Sequence, residues 1–514
     1  MKHSQVSKSD LMIPTLLFAS TAFSLAAECK QKNSGDRPNI LFVISDDQSY
    51  PNASIYGNKI FETPAFDRIA KSGVLFNNAY VTSPGSSPSR ASILTGRYPW
   101  QNEEAGTHDS RFQTKYISYP FVLEKNGYHI GYTGKGWEPG NFNGWEHNPA
   151  GPSYNTEKLT PPYTGISDCD YVANFEVFLN NRKDGQPFCF WFGCWEPHRR
   201  FEKDSYQKAK INLTNIDVPD FLPDNDVIRG DIADYALEIR WFDKQLNKIL
   251  NILDSIGALE NTLIIVTSDN GMAFPRAKAN CYDAGIHVPL AMSWKNVIPH
   301  GRIIDEHVSL VDIASTILDA ANVEPDNMQP ISGKSMLPQI KSTQDINKNK
   351  VVLAGRERHS SSRYNNTGYP QRVIVTNEFL YIYNMHSERF PAGDPFFCVP
   401  NESDLYKTGY FDIDASPTKT FLIENAGNSS ITPYFLSAMA KRPQDELYNL
   451  RNDPHCMKNL ANDEKYSAKL KALKKFLIEK LKETGDTRFV GNNSEIWETY
   501  PRFSIIREFP FPVY

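Results

Sequence analysis

The sequence lacks several things that would each have named a class of protein. No Cys-x-x-Cys pair occurs among its 7 cysteines, at 29, 169, 189, 194, 281, 398 and 456, which argues against a zinc ribbon. Cys189 and Cys194 lie in one apolar run at an odd spacing, on opposite faces of a strand, which argues against a bridge between them. An excess of charge of one sign is missing too. A net charge of -5 over 514 residues leaves no basic face for nucleic acid. No segment beyond the N-terminus is apolar for long enough to span a bilayer. Internal repeats and long low-complexity segments are absent. Aromatic residues are not scarce: 12% of the chain, with 25 Tyr and 8 Trp. That content suits carbohydrate handling, but a large packed core accounts for it more simply.

The N-terminus carries an address. Lys2 and Lys8 precede "LMIPTLLFASTAFSLAA", an apolar run ending in small residues. Residues 1–27 are expected to be a secretory signal peptide cleaved near Ala26 or Ala27, giving an exported, periplasmic protein. Cys29 raises a lipoprotein alternative, for which Glu28 is a poor preceding residue.

Beyond a polar linker, Lys30 to Arg37, the pattern alternates. "PNILFVIS" reads as a buried strand stopping at Asp46-Asp47. "TPAFDRIAKSG" reads as a helix that Thr63 can cap and Gly73 ends. "VLFNNAYV", "YPFVLEKNGYHIGYTGK" and "PFCFWFGCW" continue the alternation. A long amphipathic helix over Asp231 to Ile256 is followed by the strand "TLIIVT" and Ser268-Asp269-Asn270-Gly271. This predicts an α/β fold: a mainly parallel sheet flanked by helices over residues 38–350. From 351 to 514 short strands ("VVLAGRER", "QRVIVTN", "EFLYIYN") and a final helix, Glu464 to Lys482, predict a smaller C-terminal α+β subdomain with an antiparallel sheet. Functional groups in such folds gather beyond the carboxyl ends of strands. Asp46, Asp47, Asp269 and Asn270 fall there, and four oxygen-bearing side chains can hold a hard divalent cation. Taken singly, each pair is also an ordinary strand-end turn.

Between these lies "SSPSRASILTGR", Ser86 to Arg97. It resembles the signature of the type I sulfatases, Cys/Ser-x-Pro-Ser-Arg ending in Thr-Gly-Arg. The resemblance runs from Pro38 to about Ala461 and includes "ELYNL" and "NLA" near the end. It implies an alkaline-phosphatase-like fold. It implies that Ser86 is oxidised to formylglycine by a radical-based serine-type maturase of the bacterial kind. An unmodified serine is a weak nucleophile without a base beside it. In a hydrated aldehyde one hydroxyl can attack sulfur, and the other can then expel sulfate and restore the aldehyde. A metal would acidify that diol and polarise the sulfate oxygens.

Matched residue by residue, the family implies calcium ligands Asp46, Asp47, Asp269 and Asn270, together with Ser86 itself. Arg90 would hold the diol. Lys135 in "TGKGW" and Lys278 in "KANCYDAGIHVPL" would grip sulfate, and His198 in "WEPHRRF" would bind sulfate or protonate the leaving group. One position departs: the family phrase Gly-Lys-x-His ends here in Trp137, and Asp283 replaces the usual Glu. His108 is the proposed stand-in for the missing histidine. "QNEEAGTH", "SDNGMAFPRAKANCYDAG", "EPHRRF" and "GYPQRVI" resemble the N-sulfoglucosamine sulfohydrolase branch, so a sulfated carbohydrate of heparan type is the expected substrate. Another sulfated hexose or hexosamine is the alternative. Glu357, Arg358, His359, Arg363 and Arg372 are read as a polar loop, with Arg358, His359 and Arg372 as sugar contacts. A superfamily phosphatase with two zinc ions and an inactive glycan-binding relative are the rival readings. Oligomeric state is left open by the sequence.

Overall fold

The structure is a computed structural model that describes residues 37–342, 351–395 and 409–511. The expected signal peptide, Cys29, Cys398 and the expected boundary at 350 lie outside the described residues. Eight strands form the first sheet. They are β1 (Asn39–Ser45), β2 (Val74–Tyr80), β3 (His129–Gly134), β4 (Phe188–Gly193), β5 (Thr262–Ser268), β6 (His287–Ser293), β7 (Arg302–Ile304) and β8 (Val308–Ser309). Their order is β3-β4-β1-β5-β6-β2-β7, with β8 beside β2.

The central strands are parallel, as the alternating pattern predicts, but β6 runs antiparallel to both β5 and β2. An apolar run such as "HVPLAMS" carries no mark of direction, so this reversal was not legible. Both faces are covered. Alternate residues of β1 enter different cores: Ile40, Phe42 and Ile44 pack with Val122 and Ile313. Leu41 and Val43 pack with Ile69, Phe242 and Leu246.

The helix predicted after Thr63 is α1 (Pro64–Lys71). Its first free amides are not capped by Thr63. Asp243 of the long helix Asp226–Ser255 accepts from Ala65 N at 2.9 Å and Phe66 N at 2.8 Å, so the cap is tertiary. The second sheet contains β9 (Val352–Arg356), β10 (Gln371–Val375), β11 (Phe379–Asn384) and β12 (Asp445–Asn449), all antiparallel, in the order β12-β11-β10-β9. The helix Ser467–Glu483 buries Leu473, Leu477 and Leu481 against it, and a short last helix, Ile496–Thr499, follows. Cys169, Cys189, Cys194, Cys281 and Cys456 are buried free thiols.

Candidate active site

Parallel pairing of β1 with β5 places Ser45 opposite Ser268. Asp46-Asp47 and Asp269-Asn270 therefore leave adjacent strands side by side. Asp47 turns back with φ of +77°, and its N–H donates to Asp269 Oδ1 at 3.1 Å. The carboxylates of Asp46, Asp47 and Asp269 are buried, and one oxygen of each lies within 4.8 Å of the others. Asn270 Nδ2 donates to Asp47 Oδ1 at 2.6 Å.

The serine stretch forms α2 (Ser86–Thr95), entered from extended Gly85 and closed by Gly96 at φ +67°. Pro88 suits its first turn, where an amide is free in any case. Ser86 opens the helix. Its hydroxyl lies 3.1 Å from Asp46 Oδ1 and 3.4 Å from Asn270 Oδ1, and Lys135 Nζ donates to it at 3.2 Å. Arg90 stands one turn on, on the same face. Its Nε donates to Asp269 Oδ2 at 2.8 Å, and its Nη1 donates to the carbonyls of Lys135 at 2.9 Å and Gly136 at 3.1 Å. Lys135 follows β3 directly and reaches Asp46 Oδ2 at 2.6 Å. Lys278 reaches Asp47 Oδ2 at 2.7 Å and Asp414 Oδ2 at 3.3 Å. His198 lies 4.0 Å from Asp47 through Nε2, while Nδ1 is 2.7 Å from the Arg199 carbonyl. A carbonyl only accepts, so Nδ1 carries the hydrogen and Nε2 is the atom turned toward the carboxylates.

Burial opposes ionisation of Asp46, but Lys135, His198, Arg90 and Lys278 together outweigh it and hold the carboxyl well below its usual range. Asp269 goes the other way. Burial and the neighbouring charge of Asp46 push it up to about 6, and Arg90 opposes this only in part. Burial pulls the Lys278 ammonium down, but Asp414, Asp47 and Asp46 more than reverse this and hold it protonated. Arg90, Lys135 and Lys278 offset the charge of these three carboxylates from outside, while one oxygen of each carboxylate still faces the others. An all-oxygen donor set of Asp46, Asp47, Asp269 and Asn270 fits a hard divalent ion of the calcium or magnesium kind.

Residues 38–323 match the model of the sulfatase family. The chain belongs to the sulfatase family. It is accordingly a hydrolase of sulfate esters or sulfamides. It is similar to an ulvan-active sulfatase of Formosa agariphila, at 28% identity over 461 residues, covering 88% of this chain and 81% of that protein. Human N-sulphoglucosamine sulphohydrolase is 26% identical over 488 residues, covering 87% of this chain and 90% of that enzyme. A solved structure, of a protein in complex with its substrate D-glucosamine-2-N,6-O-disulfate, shares the fold with a TM-score of 0.61 at 20% identity, covering 88% of this chain and 99% of that one.

The sulfatase site opens into a cavity of about 310 Å³. Lys135, His198, Lys278, His108 and His359 all line it. The rings of His108 and His359 lie 4.4 Å apart. Both abut Gly85, where a Cβ would sit 3.0 Å from His359 Nδ1 and 3.8 Å from His108 Cδ2. The residue before Ser86 thus has to be small for the two imidazoles to fit. Burial keeps both rings neutral, His108 well below its usual value and His359 down to about 3. Trp137 does not face the cavity. It is fully buried, and its Nε1 donates to the Ser87 carbonyl at 2.9 Å.

Two expected sugar contacts are corrected. Arg372 lies on β10, buried, with Nε on Asp486 at 2.6 Å and Nη2 on Glu357 at 2.7 Å. Its charge is neutralised beside the second sheet, away from the cavity lining. Arg358 donates to the carbonyls of Tyr500 and Pro501, each at 3.0 Å, and so ties down the C-terminal tail. Arg363 is likewise held, by Asp412 at 2.8 Å. The segment read as a polar loop is buried, with Arg372 in a strand, and of its expected contacts only His359 reaches the cavity. The sequence reading missed Asp414, Lys419, Arg502 and Arg507, which also line it. They sit in no recognisable motif and are brought in by chain segments remote from α2.

Proposed function

We propose that this sulfatase releases sulfate from sulfated glycans of the glycosaminoglycan type, with terminal N-sulfoglucosamine as the favoured substrate, using an aldehyde formed at Ser86. The observation that carries the reading is the placement of Ser86 Oγ at a helix N-terminus, 3.1 Å from Asp46 and 3.2 Å from the ammonium of Lys135, which itself lines a sugar-sized cavity. Similarity to the human N-sulphoglucosamine enzyme over most of both chains supports the choice of sugar. Export through residues 1–27 is part of the proposal and suits a polymeric substrate met outside the cytoplasm.

The hydrated aldehyde would supply a hydroxyl nucleophile that is recovered without hydrolysing a stable serine sulfate. A calcium ion held by Asp46, Asp47, Asp269 and Asn270 would polarise the sulfate oxygens and acidify that hydroxyl. The chain's own groups do the rest. Lys135 and Lys278 bind sulfate oxygens on the cavity side of the carboxylates. Arg90, clamped by two carbonyls and Asp269, fixes residue 86 and the Lys135 backbone relative to each other. The α2 N-terminus favours the developing anion. Protonated at Nε2, His198 would give that proton to the leaving nitrogen or oxygen. His108 and His359, neutral and packed on Gly85, take over the hydrogen-bonding work of the histidine that Trp137 replaces.

The test is Ser86→Cys in a host with cysteine-type maturation, the aldehyde checked by peptide mass, and sulfate release measured on N-sulfated and singly O-sulfated glucosamine and galactose. Release from N-sulfoglucosamine alone is the expected result. Release from an O-sulfated sugar alone keeps the chemistry and overturns the substrate.

A further inference from the structure

The last described residues do something that packing alone does not require. From Pro501 to Phe511 the chain runs without regular structure, touching Asp109 through Arg502 and Phe503 and Ser361 through Arg507. It buries little of its own apolar surface: Ile505 and Ile506 are 60% and 59% exposed. Its arginines turn inward instead, and both Arg502 and Arg507 line the same cavity as Lys135, His198 and Lys278. That is the reverse of what a stabilising strand would bury.

The arrangement is held firmly. Arg502 Nη1 donates to the His359 carbonyl at 3.1 Å, and its Nη2 lies 3.4 Å from Asp109. Arg507 N–H donates to Ser361 Oγ at 2.8 Å, and its Nη1 donates to the Ser361 carbonyl at 3.2 Å. Its guanidinium lies 4.4 Å from the centre of the Phe411 ring. Phe509 is buried near Phe411, with ring centres 6.1 Å apart. Lys419 completes this wall. Its ammonium is buried on three backbone carbonyls, of Gly409, Tyr410 and Ile413, at 2.9–3.1 Å. Burial pulls it down to about 8, against the charges of Asp414 and Asp412. Asp414, on the same wall, is engaged by Lys278. This wall therefore presents the guanidinium groups of Arg502 and Arg507, backed by the charge of Lys419, whose three N–H groups are all taken by carbonyls. These groups are separate from the two lysines assigned to the reacting sulfate. All of them line one cavity of about 310 Å³, so a ligand that fills it meets both groups.

We propose that Arg502 and Arg507, with the charge of Lys419 behind them, form a second anion subsite, and that the preferred substrate is a sugar with a second anionic group, sulfate or carboxylate, besides the sulfate removed. The proposal rests on the sulfatase reading of the Ser86 site. Guanidinium groups held in fixed orientation suit such an oxyanion, and partial burial strengthens the attraction.

The experiment compares kcat/KM of the matured enzyme on glucosamine N-sulfate, glucosamine N,6-disulfate and N-sulfoglucosamine linked to glucuronic acid. Should the substrate panel select another sugar, the same three are built on that sugar. The expected result is a preference of at least about tenfold for one of the doubly charged substrates, carried mainly by KM and weakened by salt. Which of the two is preferred separates a sulfate-reading subsite from a carboxylate-reading one. Arg507→Gln and Lys419→Gln should each move the ratio toward one, and Arg507→Lys should restore part of it. Equal rates for singly and doubly charged sugars with wild-type enzyme overturn the subsite, whatever the variants do. A preference that survives both Gln variants overturns it as well. No release from any of the sugars, with the aldehyde confirmed, overturns the sulfatase reading itself.

Discussion

Two buried charge networks stand close together in this chain, and they differ in how the signs are arranged. Beyond β1 and β5, Asp46, Asp47 and Asp269 converge, and the cations Arg90, Lys135 and Lys278 surround them. Beneath the second sheet, Asp486, Arg372, Glu357 and Arg488 alternate in sign. Arg488 closes that chain on Glu357 at 2.6 Å. Formal charges balance in both. In the second, burial would raise Glu357, but Arg488 and Arg372 outweigh it and hold it below the usual carboxylate range. In the first, Asp269 is pushed up to about 6. Alternating signs finish a structure. Converging like charges leave a place for an ion, and the lysines around this network line the cavity of about 310 Å³.

Paired substitutions give the largest expected separation. Asp269→Asn should reduce turnover at least about 10²-fold, by removing a cation ligand and the partner of Arg90. In chelator its melting temperature should fall less than that of Asp486→Asn, because relief of the crowding with Asp46 and Asp47 offsets part of the loss of Arg90's partner. Asp486→Asn should do the opposite. It leaves Arg372 short of its partner and should cost about 3–5 kcal/mol in denaturant unfolding, while kcat per folded molecule stays near wild type. A large kcat loss in folded Asp486→Asn would break the distinction.

A smaller effect follows from pH. In cation-free protein Asp269 has a folded-state pKa above its unfolded value. Its contribution to stability is therefore lost as pH rises from about 4 through about 6. A bound divalent ion needs the carboxylate and removes that penalty. The rise in melting temperature on adding calcium should thus be small at pH 5, grow through pH 6 and level off by pH 7. A calcium effect independent of pH over that range would mean that Asp269 does not carry the linkage.

Much of the site was legible because its signals are local. Acidic residues that close an apolar strand, and a Pro and Arg at fixed offsets from a serine, can be read without knowing what they meet. The parallel core was legible for the same reason, since helix and strand alternate with recognisable stops. What failed depended on distant partners. "GYPQRVI" gives no sign that Arg372 meets Asp486 across 114 positions. Thr63 looks like a helix cap until Asp243 arrives from 177 residues beyond Phe66. His359 could be suspected as a polar residue near a strand end, but Arg502 and Arg507 reach the cavity only because the tail is tied to Arg358 and Ser361. The direction of β6 was not encoded in its own residues.

The most direct test of the central claim, that the converging carboxylates with Ser86 are a cation-dependent sulfate-cleaving centre, is metal content measured together with sulfate release on the matured full chain. The account predicts a single calcium-type ion per chain, loss of sulfate release with chelator, and its return when calcium is added back. A pair of zinc ions per chain, or full activity in metal-free protein, would contradict it.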